Sequence, residues 1–115
     1  MDERDAAWLF DMAEAAEIAL RHAEGLDREM FFRDQLRQDA VIRQLIVLGE
    51  AAKRVSPSLQ AAHPEIPWQS IAGFRDVLVH QYRWINLGRV WEFLRGDLPR
   101  VLNLIRPLIP PIEES

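Results

Sequence analysis

The stretch Leu36-Arg37-Gln38-Asp39-Ala40-Val41-Ile42-Arg43-Gln44-Leu45-Ile46-Val47-Leu48-Gly49-Glu50-Ala51-Ala52-Lys53-Arg54 decides the fold. Leu36, Ala40, Val41, Leu45, Leu48 and Ala52 recur at helical spacing, and Val55 extends the row. Ile42, Ile46 and Gly49 widen the stripe. A face that wide predicts burial on more than one side, as in a helical bundle that also dimerises. Glu50 interrupts this face, with Arg54 four residues on. The pair reads as a surface ion pair of little weight, or Glu50 is a carboxylate turned toward the segment around Arg75 and His80.

Upstream, Asp27 is a candidate N-cap, with Met30, Phe31 and Phe32 packing behind it, so one long helix is expected to run on to about Arg54. Before that, about Glu3 to Ala23 forms a first helix, capped by Asp2 or Asp5. Its stripe is Trp8, Leu9, Met12, Ala13, Ala16, Ala19, Leu20 and Ala23, and Gly25 ends it. His22 sits in the last turn, where a cation is favoured.

Downstream, Ser56-Pro57 starts a short helix to about Ala62, and His63-Pro64-Glu65-Ile66-Pro67 is a connector. His63 reads as a solvated side chain there. Pro67 opens a turn from Trp68 to Ala72. Asn86 caps a last helix with the stripe Leu87, Val90, Trp91, Leu94, Leu98, Val101, Leu102, Ile105 and Leu108. Pro99, after Gly96-Asp97, predicts a kink or break. No strand pattern, repeat or Gly-rich phosphate loop occurs. The expected fold is all-α, an up-down bundle of four main helices with short extra turns. Residues 1–110 are expected to form one domain and 111–115 a frayed tail.

The bulk numbers narrow the function classes. The chain has 115 residues, 49% of them hydrophobic, which is enough for one core. It has no Cys, which excludes disulfides and thiolate metal sites, and its three His residues have no ligand spacing. Charges break every apolar run well short of a membrane span, so a cytoplasmic protein without membrane contact is expected. The net charge of -4 argues against a general duplex binder, though a local cluster can differ from the total.

Between Gly73 and Tyr82, the run Arg75-Asp76-Val77-Leu78-Val79-His80-Gln81-Tyr82 sets four polar groups in what reads as a buried helix. Asp76 and His80 stand at i and i+4, where a carboxylate would orient an imidazole and raise its basicity. Arg75 and Tyr82 share a face if the helix continues that far. Arg75 and His80 are five apart, roughly 140° around the axis at about 100° per residue, so one chain brings them together poorly. A second chain, a long-reaching Arg or a helix ending near His80 would allow them to converge. An Arg and a His at a phosphodiester suit RNA cleavage without a metal. The His moves the proton of the 2′-OH or of the leaving 5′-oxygen, the Arg clamps the phosphate, and a 2′,3′-cyclic phosphate results. The same spacing equally describes a structural Asp76–His80 pair with an Arg75 salt bridge.

The six-residue run from Arg75 to His80 matches the HEPN-superfamily pattern, and the whole chain resembles the HepT-like ribonuclease toxins. The resemblance is carried by Arg4-Asp5-Ala6-Ala7, Gln38-Asp39-Ala40-Val41-Ile42-Arg43, Gly49-Glu50-Ala51-Ala52-Lys53-Arg54, Pro64-Glu65-Ile66-Pro67-Trp68, the motif through Tyr82, and Val90-Trp91. It implies a dimeric helical bundle whose inter-subunit cleft holds both copies of the motif. It further implies Arg75 and His80 as catalytic residues and Asp76 at the polar motif position where Asn is usual. Tyr82 matches the tyrosine that a cognate MNT-type nucleotidyltransferase antitoxin modifies with AMP. The implied activity is that of a metal-independent, cofactor-free RNA endonuclease, the toxin of a type VII-like toxin–antitoxin pair. The alternative is a non-catalytic HEPN module that binds a nucleotide or scaffolds a nucleotidyltransferase partner.

Overall fold

A computed structural model describes residues 1–111. Expectations about the tail therefore lie, from Ile112 on, outside the described residues. Among these residues seven α-helices appear in chain order: α1 (Glu3–His22), α2 (Arg28–Arg33), α3 (Gln35–Arg54), α4 (Pro57–Ala62), α5 (Trp68–His80), α6 (Leu87–Glu92) and α7 (Leu98–Ile105). Among the described residues there is no strand, and the all-α expectation holds.

Each long helix forms where the sequence supplies both ends of it. The Asp2 carboxylate accepts the Arg4 N–H at 2.8 Å, Glu3 and Asp5 fill the first turn of α1, and Arg21 and His22 fill the last. Opposite charges at the two ends complement the helix dipole. Gly25 takes φ +79 just beyond, a conformation that favours glycine. The buried face of α1 carries Leu9, Met12, Ala13, Ala16 and Ala19, and the small residues let α3 approach closely. α3 lies between α1 and α5, and α7 covers another side of α1.

Two expectations about helix continuity need correction. The helix expected from Asp27 to Arg54 is two helices broken at Asp34. Asp34 has φ -114 and ψ 87, its carboxylate accepts the Arg37 N–H at 3.1 Å, and Gln38 Nε2 donates to the Phe31 and Phe32 carbonyls. The break turns Phe31 inward, fully buried against Trp91 at a ring separation of 5.3 Å. Conversely, the turn expected from Trp68 to Ala72 is the start of a single helix, α5, that runs through Gly73 to His80.

At Pro99 the last helix neither breaks nor ends. A π turn, Phe93–Asp97, joins α6 to α7, and the Leu98 N–H donates to the Phe93 carbonyl five residues back. A wider turn accommodates a residue that has no N–H to donate. Leu94, Leu98, Val101, Leu102 and Ile105 stay buried along its course.

A buried acid, Asp5, ties the two ends of the α1–α3 pair to α4. Its carboxylate accepts the Ser56 N–H at 2.8 Å and the Ser56 hydroxyl at 2.6 Å, and Ser56 in turn caps α4. Gln60 on α4 donates to the Ala52 and Val55 carbonyls at the end of α3. His63, expected to be solvated, meets Glu65 at 3.1 Å.

Candidate active site

α5 ends at the motif histidine. The Gln81 N–H donates to the Val77 carbonyl, and a 3-10 turn, Tyr82–Trp84, follows. Tyr82 therefore does not continue the face that holds Arg75. The reading of this segment as buried helix is also corrected. Of Val77, Leu78 and Val79 only Leu78 is buried, and Val79 is 37% exposed.

Arg75 crosses α3 at Gly49. A Cβ at Gly49 would overlap the Arg75 Cβ and come within 3.1 Å of the Ile71 carbonyl oxygen. The missing side chain lets α5 sit close enough for Arg75 to lie along α3. The guanidinium is then held from two sides: Nη2 lies 3.0 Å from Glu50 Oε2, and Nη1 donates to Asp76 Oδ1 at 2.9 Å. Its Nε is buried without a partner. The guanidinium has five N–H donors, so the second hydrogen of each Nη stays uncommitted.

Both carboxylates have a second cation. Glu50 also takes Arg54 at 3.2 Å, and Asp76 takes Lys53 at 3.0 Å. Three cations against two carboxylates leave the cluster one positive charge, in a chain whose net charge is -4. Hydrogen bonds from Arg75 and then Lys53 hold the Asp76 carboxyl below the usual carboxylate range. The two readings of Glu50 therefore coexist, since it meets Arg54 and Arg75 together. Lys53 is a site neighbour that the motif does not contain. It is the only lysine, one helical turn beyond Glu50 on the same face of α3.

The expected Asp76–His80 hydrogen bond is absent, and that expectation is corrected. Asp76 turns to two full cations, which outcompete an imidazole for its oxygens. His80 stands exposed at the C-terminal end of α5, with no hydrogen-bond partner among the described residues. Within one chain no contact joins Arg75 to His80. Tyr82 is 73% exposed and Trp84 82% exposed.

Two depressions flank this row on α3. A hollow of about 230 Å³ includes Trp8, Ile46, Val47, Glu50 and Arg75. A groove of about 480 Å³ lies between α3 and the chain from Tyr82 to Leu87, and shares Ile46 and Val47 with the hollow. Among the described residues no three His, Asp or Glu side chains cluster to hold a metal ion, and no helix is long and apolar enough to cross a membrane.

The arrangement thus pairs a clamped, locally cationic Arg with an unpartnered His and an exposed Tyr. The family model described as "Ribonuclease HepT-like" matches residues 12–108. The "Probable ribonuclease HepT" of Thermococcus cleftensis is 37% identical over 92 residues, 80% of this chain and 84% of that one. The Methanocaldococcus jannaschii protein named "Putative RNase MJ0125" is 32% identical over 116 residues, which spans both chains in full. No solved structure matches the chain. With a matching family model over most of its length and relatives that align along nearly all of theirs, the chain belongs to the HepT-like ribonuclease family.

Proposed function

We propose that this ribonuclease cuts RNA internally without a metal, through Arg75 and His80, and acts in the cytoplasm as the toxin of a toxin–antitoxin pair. The observation that carries the reading is the contrast between the two residues. Arg75 is anchored in a cluster with one excess positive charge, while the His80 imidazole is exposed and unpartnered. His80 removes the 2′-OH proton, the 2′-oxygen bonds to phosphorus, and the bond to the 5′-oxygen breaks as that oxygen gains a proton. The Arg75 hydrogens not used by Glu50 and Asp76 bind the phosphoryl oxygens as charge develops. Because no contact joins Arg75 to His80 within a chain, the working enzyme is a homodimer whose cleft combines the two motifs. Incubation of RNA in chelator with wild type, His80→Ala and Arg75→Ala tests the assignment. Cleavage ending in 2′,3′-cyclic phosphate is expected from wild type alone, and equal cleavage by His80→Ala defeats it.

Tyr82 is the proposed off-switch. Its exposed hydroxyl oxygen attacks the α-phosphorus of ATP on a nucleotidyltransferase antitoxin, and pyrophosphate leaves. The added phosphate charge, two residues from His80, then opposes RNA. Co-expression with the antitoxin should add the mass of AMP to the Tyr82 peptide, and Tyr82→Phe should abolish the gain. A second reading draws on the two carboxylates on Arg75, which hold it along α3 and away from His80. It makes the chain a nucleotide-binding or scaffolding module. Nucleotide binding without RNA products, and growth inhibition that survives His80→Ala, would favour it.

A further inference from the structure

We propose that the groove between α3 and the Tyr82–Leu87 segment binds one nucleotide of single-stranded RNA beside the scissile phosphate. The inference rests on the ribonuclease reading and goes beyond it by locating a substrate subsite away from Arg75 and His80. The floor of the groove is apolar: Ile42 and Ile46 from α3 face Ile85 and Leu87, all packed against the core. Tyr82 stands at the edge as an exposed ring, two residues from His80. Arg43 and Arg83 line the groove, both exposed, and neither has a carboxylate partner among the described residues.

Arg4, Arg21 and Arg100 also lack a carboxylate partner among the described residues, but of these five Arg43 and Arg83 are the two that line one groove together. Arg33, Arg54 and Arg106 pair with Glu29, Glu50 and Glu17, while Arg28, Arg89 and Arg95 lie over aromatic rings. At the groove, Asp39 stands one turn before Arg43 on the same helix and still makes no ion pair with it. Two uncommitted cations beside an apolar floor and an exposed ring complement a flat apolar body that carries negative charge. A nucleotide has that chemistry: its base stacks on the ring and lies over the isoleucines, and its phosphates meet the arginines. Asp39 accepts from an exocyclic amino group and repels phosphate, which keeps the backbone on the arginine side. A duplex cannot place a base there without opening, so the occupant is single-stranded.

The test uses the full chain carrying His80→Ala, so that binding is read without cleavage, and a fluorescein-labelled single-stranded oligoribonucleotide of mixed sequence. Adding Arg43→Ala and Arg83→Ala together should weaken binding by roughly tenfold at moderate salt. The two lost phosphate contacts, at roughly 0.7 each, should also flatten the log–log salt slope by about 1.4. Tyr82→Ala should weaken binding while Tyr82→Phe keeps it, because stacking needs the ring and not the hydroxyl. Arg106→Ala, at a residue paired with Glu17 and outside the groove lining, should bind as the parent does. Circular dichroism checks that each variant is folded.

The proposal is overturned if the double arginine variant binds the oligonucleotide as tightly as the parent, or if the parent does not bind it. It is equally overturned if light scattering shows that the double variant has lost self-association while affinity for RNA is unchanged; the groove is then covered by a second copy of the chain. Failure of the catalytic reading looks different: wild type would cleave no better than His80→Ala while the groove variants still lost binding.

Discussion

Asp76 shows how far residue spacing reaches. Its position four before His80 was legible, and so was the possibility of a pair. The competitor was not, because Lys53 comes from another helix and lies 23 residues away in sequence. The consequence is a pH signature. The folded carboxyl sits below its ordinary value near 3.8, so its contribution to stability is present above that value. It is lost as pH falls through the lowered folded value. Wild type should therefore exceed Asp76→Asn in urea midpoint at pH 7, and the gap should close below about pH 4. A constant gap would mean that the carboxylate charge is not what matters. Glu50 makes a second prediction at this scale. It touches Arg75 and acts through it, as a positioning residue. Glu50→Gln should lower kcat for RNA cleavage by roughly tenfold, with a smaller change in KM, because small displacements of a positioned group cost rate. Glu50→Asp should recover part of the loss. A change in stability with kcat intact would assign Glu50 to structure alone.

At the scale of elements, the helices and most of their caps follow from local pattern, but the places where helices touch do not. Gly49 read as one more small residue on a broad stripe. Its meaning appears only where α5 crosses, since a methyl there would collide with Arg75 and crowd the Ile71 carbonyl. Gly49→Ala gains about 1 kcal/mol in intrinsic helix propensity. Overpacking at a close contact costs typically 1–3 kcal/mol, about the same or more. A net loss of urea stability is expected, together with reduced cleavage as Arg75 is displaced. A more stable and fully active Gly49→Ala would show that α3 and α5 separate freely. Asp5 gives the contrasting case, a buried acid far from the motif. Asp5→Ala leaves the Ser56 N–H and hydroxyl without their acceptor. It should cost about 1–3 kcal/mol and leave cleavage per folded molecule unchanged. The break at Asp34 escaped local reading, and the irregularity expected at Pro99 takes a form, a π turn, that local reading did not give. Each is set by what must stay buried beside it, Phe31 on α2 before the break in one case and the Leu94–Ile105 row in the other.

At the scale of the molecule, the problem is that one chain does not assemble the proposed site. Arg75 is pinned along α3 by Glu50 and Asp76, while His80 stands exposed at the end of α5. The helical angle between them was legible from their separation by five residues. What was not legible is that Arg75 has no freedom to swing round, because its carboxylate partners hold it. A two-fold dimer resolves the conflict if each site takes Arg75 from one subunit and His80 from the other, since a symmetric contact then builds two identical sites. Arg75→Ala and His80→Ala would each be inactive alone, because each removes one half of both sites. Mixed in equal amounts under conditions that exchange subunits, they should regain cleavage. Half of the dimers are then mixed and one of their two sites has both residues, so about one quarter of wild-type activity is expected. Sites contained within single chains would regain none, because every chain in the mixture lacks one residue. Dilution below the dimer's dissociation constant should abolish the regained activity and the wild-type activity together. Cleavage that persists in a monomer at wild-type rate would require Arg75 to leave Glu50 and reach its own His80.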